Sequence, residues 1–447
     1  MNNNKTRRDF FRTALAGGAL SKIGAMNAYA QGATDYKALV CVFLLGGNDG
    51  NNVIVPQEQS AYNAYRAIRL GLALPDTSAT LLPVTDGASG QPYALSNGLV
   101  GVHPLWAQNK LAIVANVGML VKPTTRAQYL ANSVPVPTNL FSHSDQIGQM
   151  QSGVPSTGGG TGWAGRIADE AAPMNGAASF PSGFSTSGPA LFTTGNVVQS
   201  ASLYPGFDLD LYGMNVWPAT ATQARKTALQ QLLTFDSGMS LVKASNKVRQ
   251  DALALNAMLK DNSGTPPLTT VFPGTQIGQQ MQQVANIIRL RNATGMKRQV
   301  FFCALGGFDT HGAQGWQHWN LLSQLGAAMG AFYQATTEMA IADKVTSFSL
   351  SEFGRTLQPS GSGSDHGWGN HHMVMGGAVQ GGRIYGQFPE MAVGGPSDSS
   401  NRGAWIPSTS TDQFGATLGS WFGLTPAQLA AVFPNLVNFS QQNLGFV

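Results

Sequence analysis

The stretch Val345-Thr-Ser-Phe-Ser-Leu-Ser-Glu-Phe-Gly-Arg-Thr356 leads through a Gly/Ser loop into Asp365-His-Gly-Trp-Gly-Asn-His-His372, and its reading decides the fold. Val345, Ser347 and Ser349 alternate with Phe348 and Leu350, which predicts a half-buried strand. Glu352 and Arg355 follow where a parallel strand leaves its sheet, the edge at which open α/β sheets bind ligands. An acid and three imidazoles then fall within eight residues, and the apolar run Met373–Val379 reads as another strand or a buried turn.

Two earlier stretches share this grammar. Leu39-Val-Cys-Val-Phe-Leu-Leu45 ends in Gly46-Gly-Asn-Asp-Gly50, and Gln299-Val-Phe-Phe-Cys-Ala-Leu305 ends in Gly306-Gly-Phe-Asp-Thr-His-Gly312. Continuous apolar runs suit parallel strands covered on both faces, and the glycines allow sharp turns and close backbone approach. With the three strands as neighbours, Asp49, Asp309, His311, Glu352, Asp365, His366 and one of His371 or His372, taken as His372, converge as metal ligands. Carboxylate with imidazole is the ligand set expected for zinc, manganese or a mixed pair, as one or two divalent ions. Glu352 either ligates metal, holds a ligand histidine, or forms a buried ion pair with Arg355; the alternative role of Arg355 is to clamp an oxyanion.

Ser142-His-Ser-Asp145 stands at a predicted helix start. The Ser142 to Asp145 spacing is capping chemistry; alternatively Ser142 or Ser144 is a catalytic nucleophile or phosphate-binding group at the positive helix end. Thr310 and a metal-bound water are further candidates for the nucleophile.

The chain begins with Thr6-Arg-Arg-Asp-Phe-Phe-Arg12, a mildly apolar segment and Ala28-Tyr-Ala30, an arrangement that resembles a twin-arginine export signal with its cleavage site. Residues 1–30 are therefore expected to be removed, leaving 31–447 as one domain in the periplasm or outside the cell, after passage through the twin-arginine translocase. Without them the balance is 21 basic against 21 acidic residues, so net charge makes no case for nucleic acid or an anionic membrane. No later segment has the roughly 18 apolar residues of a membrane span.

Charged residues make up 11% of the chain, and 54 glycines and 23 prolines are spread through it, which indicates an α/β domain with long Gly/Ser/Pro-rich excursions. Cys41 and Cys303 lie inside predicted core strands and read as small buried hydrophobes, with a disulfide as the alternative. Residues 72–100 read as loop and turn, His103–Asn109 as a helix start and Leu111–Gly118 as a second buried strand reached by a βαβ crossover. Trp163–Asp169 is a helical island, and 221–293 is helical. No P-loop or dinucleotide fingerprint is present.

With its leader, LGGNDG turn, FDTH turn, SEFGRT motif and DHGWGNHH loop, the chain resembles the bacterial family defined by domain of unknown function 1501. That family is similar to the alkaline phosphatase and sulfatase superfamily. The resemblance implies a mostly parallel central sheet flanked by helices and divalent metals held by Asp and His. By position it implies Asp49 as first-strand ligand and Asp309 with His311 as a later pair. Glu352 stands where those enzymes carry an Asp-His pair, which Asp365 and His366 supply further on. The sulfatase signature Cys-x-Pro-x-Arg is absent, so an ordinary sulfatase is disfavoured. Two functions fit these expectations: a metal-dependent hydrolase of small phosphate or sulfate esters, or a non-catalytic exported binding or assembly protein of the same fold.

Overall fold

The computed structural model describes residues 35–447 apart from 157–158, 179, 206–213, 215, 237 and 261–265, so the leader expected over 1–30 lies outside the described residues. Lys37–Leu45 and Arg298–Gly306 are strands of nine residues with nearly unbroken burial, and they pair in parallel from Lys37 opposite Arg298 to Leu45 opposite Gly306. Val345–Leu350 pairs in parallel on the other side of Lys37–Leu45. The three strands predicted to deliver Asp49, Asp309 and Glu352 are thus adjacent, parallel and open at one edge.

The sheet continues beyond Val345–Leu350 through Asn370–Gly376 to Leu111–Gly118 and the short Ile384–Tyr385, while Thr409–Ser410 also pairs with Leu111–Gly118. On the far side Gly183–Ser185 and Ala201–Ser202 complete nine strands among the described residues. Asn370–Gly376 is antiparallel to both neighbours. Its first residues, Asn370, His371 and His372, therefore stand at the edge where the parallel strands end. The crossover from Lys37–Leu45 to Leu111–Gly118 skips two strands.

Period-two alternation divides the core. Val40, Val42, Leu44 and Cys303 pack with the helices Gln276–Arg289 and Gln314–Glu338. Leu39, Cys41, Phe43 and Phe302 pack on the other face with Trp163–Ala171 and Thr411–Phe422. Both cysteines are free, and they face opposite sides of the sheet, which rules out a bond between them.

Two segments read as loop are ordered differently. Leu81–Thr85 and Pro92–Ser96 join Ile54–Pro56 in a three-stranded antiparallel sheet, their signal obscured by proline and short length. Arg355–Ser360 and Gly363–His366 form an antiparallel hairpin that sets Arg355 opposite His366. Asp365 and His366 are consequently carried on a strand.

Candidate metal centre

Close packing of the two Gly-rich turns builds the site. Gly46 has φ +117°, and a Cβ there would fall 2.3 Å from the Asp309 amide nitrogen. Only glycine lets the turn after Lys37–Leu45 lie against the Phe308–Asp309 turn in this way. Gly46 N donates to Glu352 Oε1 at 2.8 Å, and Phe308 N to Leu45 O at 3.1 Å. Buried Arg355 ties the pieces together: it donates to the carbonyls of Gly46, Gly47, Phe308 and Ser364 and pairs with Asp309 Oδ1. With its donors so directed, Arg355 is a scaffold cation, not a free oxyanion clamp, and its carboxylate partner is Asp309.

Three imidazoles converge on Asp309. The Nε2 atoms of His143, His311 and His366 lie 3.3, 3.0 and 3.5 Å from Asp309 Oδ1. His366 Nε2 is also 3.1 Å from both His143 Nε2 and His311 Nε2. Ligands on a tetrahedral ion with bonds of 2.0–2.1 Å are separated by about 3.3 Å, so the His143, Asp309 and His366 atoms fit one small cation, with His311 against the same carboxylate oxygen.

Outer partners set the ring tautomers. His366 Nδ1 is 2.7 Å from the Phe141 carbonyl, which can only accept, so Nδ1 carries a proton. His143 Nδ1 is 2.8 Å from Glu352 Oε1 and donates to that carboxylate. In the neutral rings both Nε2 atoms are then bare, and they face each other lone pair to lone pair at 3.1 Å. Such a pair calls for a cation or an added proton between them. The carboxylate–histidine and carbonyl–histidine contacts are the outer-shell pattern of metal-bound imidazoles.

Charge agrees with this reading. The hydrogen bond to Glu352 raises the pKa of His143 against burial, whereas burial lowers that of His366. Burial is the largest single influence and works against ionised Asp309, but the hydrogen bond and charge of Arg355, with the charges of His143 and His311, together outweigh it and keep the carboxyl below its ordinary range. Phe353 packs 4.8 Å from both the His143 and His366 rings, walling one side.

The expected residues separate into groups. His143, Asp309 and His366 form one candidate ligand triad, and His311, Asp365 and His366 a second that shares His366. Asp365 Oδ1 accepts from the His366 amide and Oδ2 from Arg402 at 3.1 Å. Glu352 stands behind the centre, holding His143. Asp49 belongs to neither triad: it is fully buried against Arg69, whose guanidinium also donates to the Thr356 and Leu357 carbonyls, and it accepts from Asn51 and Gln314. His372 is likewise outside both triads, buried with its ring edge toward Phe414 and its pKa pushed down to about 3 by burial. Ser142 occupies the N-cap of His143–Ser152 but does not cap it; its hydroxyl donates to Asp145 at 2.5 Å and lies 3.2 Å from that of exposed Ser144. Thr310 Oγ1 is buried without a partner.

His143 is the residue that the ligand assignment missed. Its signal was a histidine at the first position of a helix, after the positive-φ Asn139 and Phe141, in a segment already explained as capping.

The chain belongs to the family described as "Protein of unknown function (DUF1501)", whose model matches residues 36–401. No curated protein matches it. Among solved structures it is similar to one described as Ps i-CgsB, at 9% identity over 90% of this chain and 77% of that one, with a TM-score of 0.36. It is also similar to a phosphonate monoester hydrolase of Agrobacterium radiobacter, at 10% identity over 88% and 74%, TM-score 0.34. A third is the PsFucS1 sulfatase from Pseudoalteromonas sp., at 9% identity over 83% and 68%, TM-score 0.31.

Proposed function

We propose that this member of the family is an exported, metal-dependent hydrolase of small phosphate or sulfate esters, with an alkaline phosphatase-like fold and its centre at His143, His311, His366 and Asp309. The observation that carries this reading is the pair of Nε2 lone pairs turned toward each other, and toward one carboxylate oxygen, by tautomers fixed from behind. An imidazole-rich set favours zinc over manganese. A divalent cation held there would supply the Lewis acidity that polarises an ester oxygen and activates water at neutral pH.

The chain's own groups have distinct tasks. Glu352 and the Phe141 carbonyl hold the two rings in their ligating tautomers. Arg355 fixes Asp309 and the turns around it, and Phe353 excludes water from one side. His311 and Asp309 are each about half exposed, so an ester can approach from that direction. Ser142, already donating to Asp145, is the better oriented of the two serines for proton transfer.

Metal analysis of the purified protein, together with a panel of chromogenic phosphate and sulfate esters, tests the reading. The expected result is at least one equivalent of divalent metal and an ester hydrolysis that chelator abolishes and His366→Ala lacks. Metal without hydrolysis would favour the binding or assembly reading, in which the same centre is structural. Asp49, locked to Arg69 and outside the candidate ligand triads, is the observation that lends that second reading weight.

A further inference from the structure

The helices Thr220–Thr234 and Ser240–Lys260 pack on each other as a hairpin. They touch near the turn, where Asn246 and Gln250 donate to the Leu232 and Leu233 carbonyls. Leu255, far along the second helix, joins the main core. At 1.5 Å per residue, Leu241 stands roughly 20 Å along the helix from that anchor.

Around the turn the large apolar side chains face outward: Leu232 is 69% exposed, Phe235 64%, Met239 61% and Leu241 77%. Four such residues within ten positions exceed the scattered exposed leucine that needs no explanation. Charge is the second, independent observation. Residues 216–260 contain six basic and two acidic side chains, and the rest of 31–447 contains fifteen and nineteen. The neutral whole therefore conceals a basic arm on an acidic body.

We propose that the hairpin turn docks on an anionic phospholipid surface, inserting Leu232, Phe235 and Leu241 among the headgroups while the arm's excess of basic residues attracts acidic lipid and Lys243 exchanges its 2.9 Å ion pair with Asp236 for lipid phosphate. Apolar burial and attraction of basic residues to acidic lipid are the two contributions that hold interfacial segments at a membrane. A surface reached by a projecting turn suits a flat lipid sheet. It also keeps the acidic body, which the same surface would repel, at a distance set by the arm. Among the described residues no helix is long and apolar enough to cross a membrane, so the contact is peripheral.

Co-sedimentation of the full chain with phosphatidylglycerol vesicles and with phosphatidylcholine vesicles tests this, comparing wild type with Phe235→Ser/Leu241→Ser in the same chain so that residues 1–30 contribute equally. Wild type should bind the anionic vesicles at least about tenfold more tightly than the double variant, and 0.5 M NaCl should weaken that binding. Both proteins should retain the same metal content and melting temperature, since the turn lies outside the core; Lys226→Gln/Lys243→Gln supplies a charge-only variant with intermediate binding. Equal binding by wild type and double variant, or none by either, overturns the proposal. So does concentration-dependent self-association that the double variant abolishes, which would assign the turn to a second copy of the chain.

Discussion

Two sets of histidines stand at the same edge of the sheet and differ in exposure and in what their ring nitrogens face. His143, His311 and His366 are partly exposed, and they direct Nε2 atoms at a common carboxylate oxygen. His318, His371 and His372 are buried, each with a pKa pushed down to about 3 by burial. His371 stacks on Phe388 and accepts a bond from the Asn116 amide, while His318 Nε2 meets the Asn48 side-chain oxygen. Within the first set, His143 and His366 are aimed from behind by Glu352 and the Phe141 carbonyl; the second set is absorbed into packing. A histidine count near a motif is therefore not a ligand count. What distinguishes a ligand is the partner on its other nitrogen.

The sharpest way to break this comparison is to remove one ring from each set. His366→Ala should abolish metal binding, and with it the chelator-sensitive part of the stability, about 2.7 kcal/mol at a hundredfold excess of metal over Kd. His372→Ala should leave metal content unchanged while costing roughly 2–3 kcal/mol through the cavity it opens. Elemental analysis and thermal melts with and without chelator read both effects. Equal metal loss in the two variants would return His372 to the centre.

A smaller effect is expected behind the ligands. Glu352→Gln keeps an acceptor for His143 Nδ1 but removes the charge that strengthens the ring as a ligand. Metal affinity should drop by about 10- to 100-fold, with full occupancy recovered at excess metal. If Glu352 were itself a ligand, occupancy at saturation would fall as well, and a metal titration separates the two.

pH sharpens the contrast without mutation. In metal-free protein, NMR of the imidazoles should show His371 and His372 flat between pH 5 and 8, whereas His143 titrates above its ordinary value. A raised folded pKa means that His143⁺ stabilises the metal-free fold fully below about pH 6.5 and that this contribution is lost as pH rises through the raised value. Metal-loaded protein should respond with the opposite sign, because a protonated ring cannot ligate. Melting curves across this range, with and without metal, should therefore converge toward acid and separate toward alkaline pH.

Much of the framework was readable from the chain because it rests on local patterns. Two near-continuous apolar runs ending in Gly-Gly and the alternating run Val345–Leu350 pointed to the parallel strands and the shared edge, and to Asp309, His311, Glu352, Arg355 and His366 beside it. The division of labour among these residues depended on contacts that no local pattern encodes. Asp49 has the same turn setting as Asp309, yet Arg69, on a helix with an otherwise ordinary polar face, folds under it and buries the pair. The Arg355–His366 hairpin escaped because its Gly361-Ser-Gly363 turn and polar strands lack the apolar alternation that marks a half-buried strand. His143 escaped because capping already accounted for its neighbours.

The smallest expected effect decides how many ions the edge holds. Asp365 is part of the second triad with His311 and His366, but its side chain is 46% exposed, paired at 3.1 Å with Arg402, itself 36% exposed. Burial opposes its charge, and the His366 amide and Arg402 together hold its pKa below the ordinary range, so it is satisfied without a metal. Exposed ion pairs of this kind contribute about 0–1 kcal/mol. Asp365→Asn should accordingly shift the melting temperature only slightly and leave one bound ion per chain, because His143, Asp309 and His366 form a triad without it. A wild-type stoichiometry of two that drops to one in Asp365→Asn would instead place a second cation among His311, Asp365 and His366. The edge would then be a two-ion centre, and the contrast between its two sets of histidines would have to include a ligand held in reserve by an arginine.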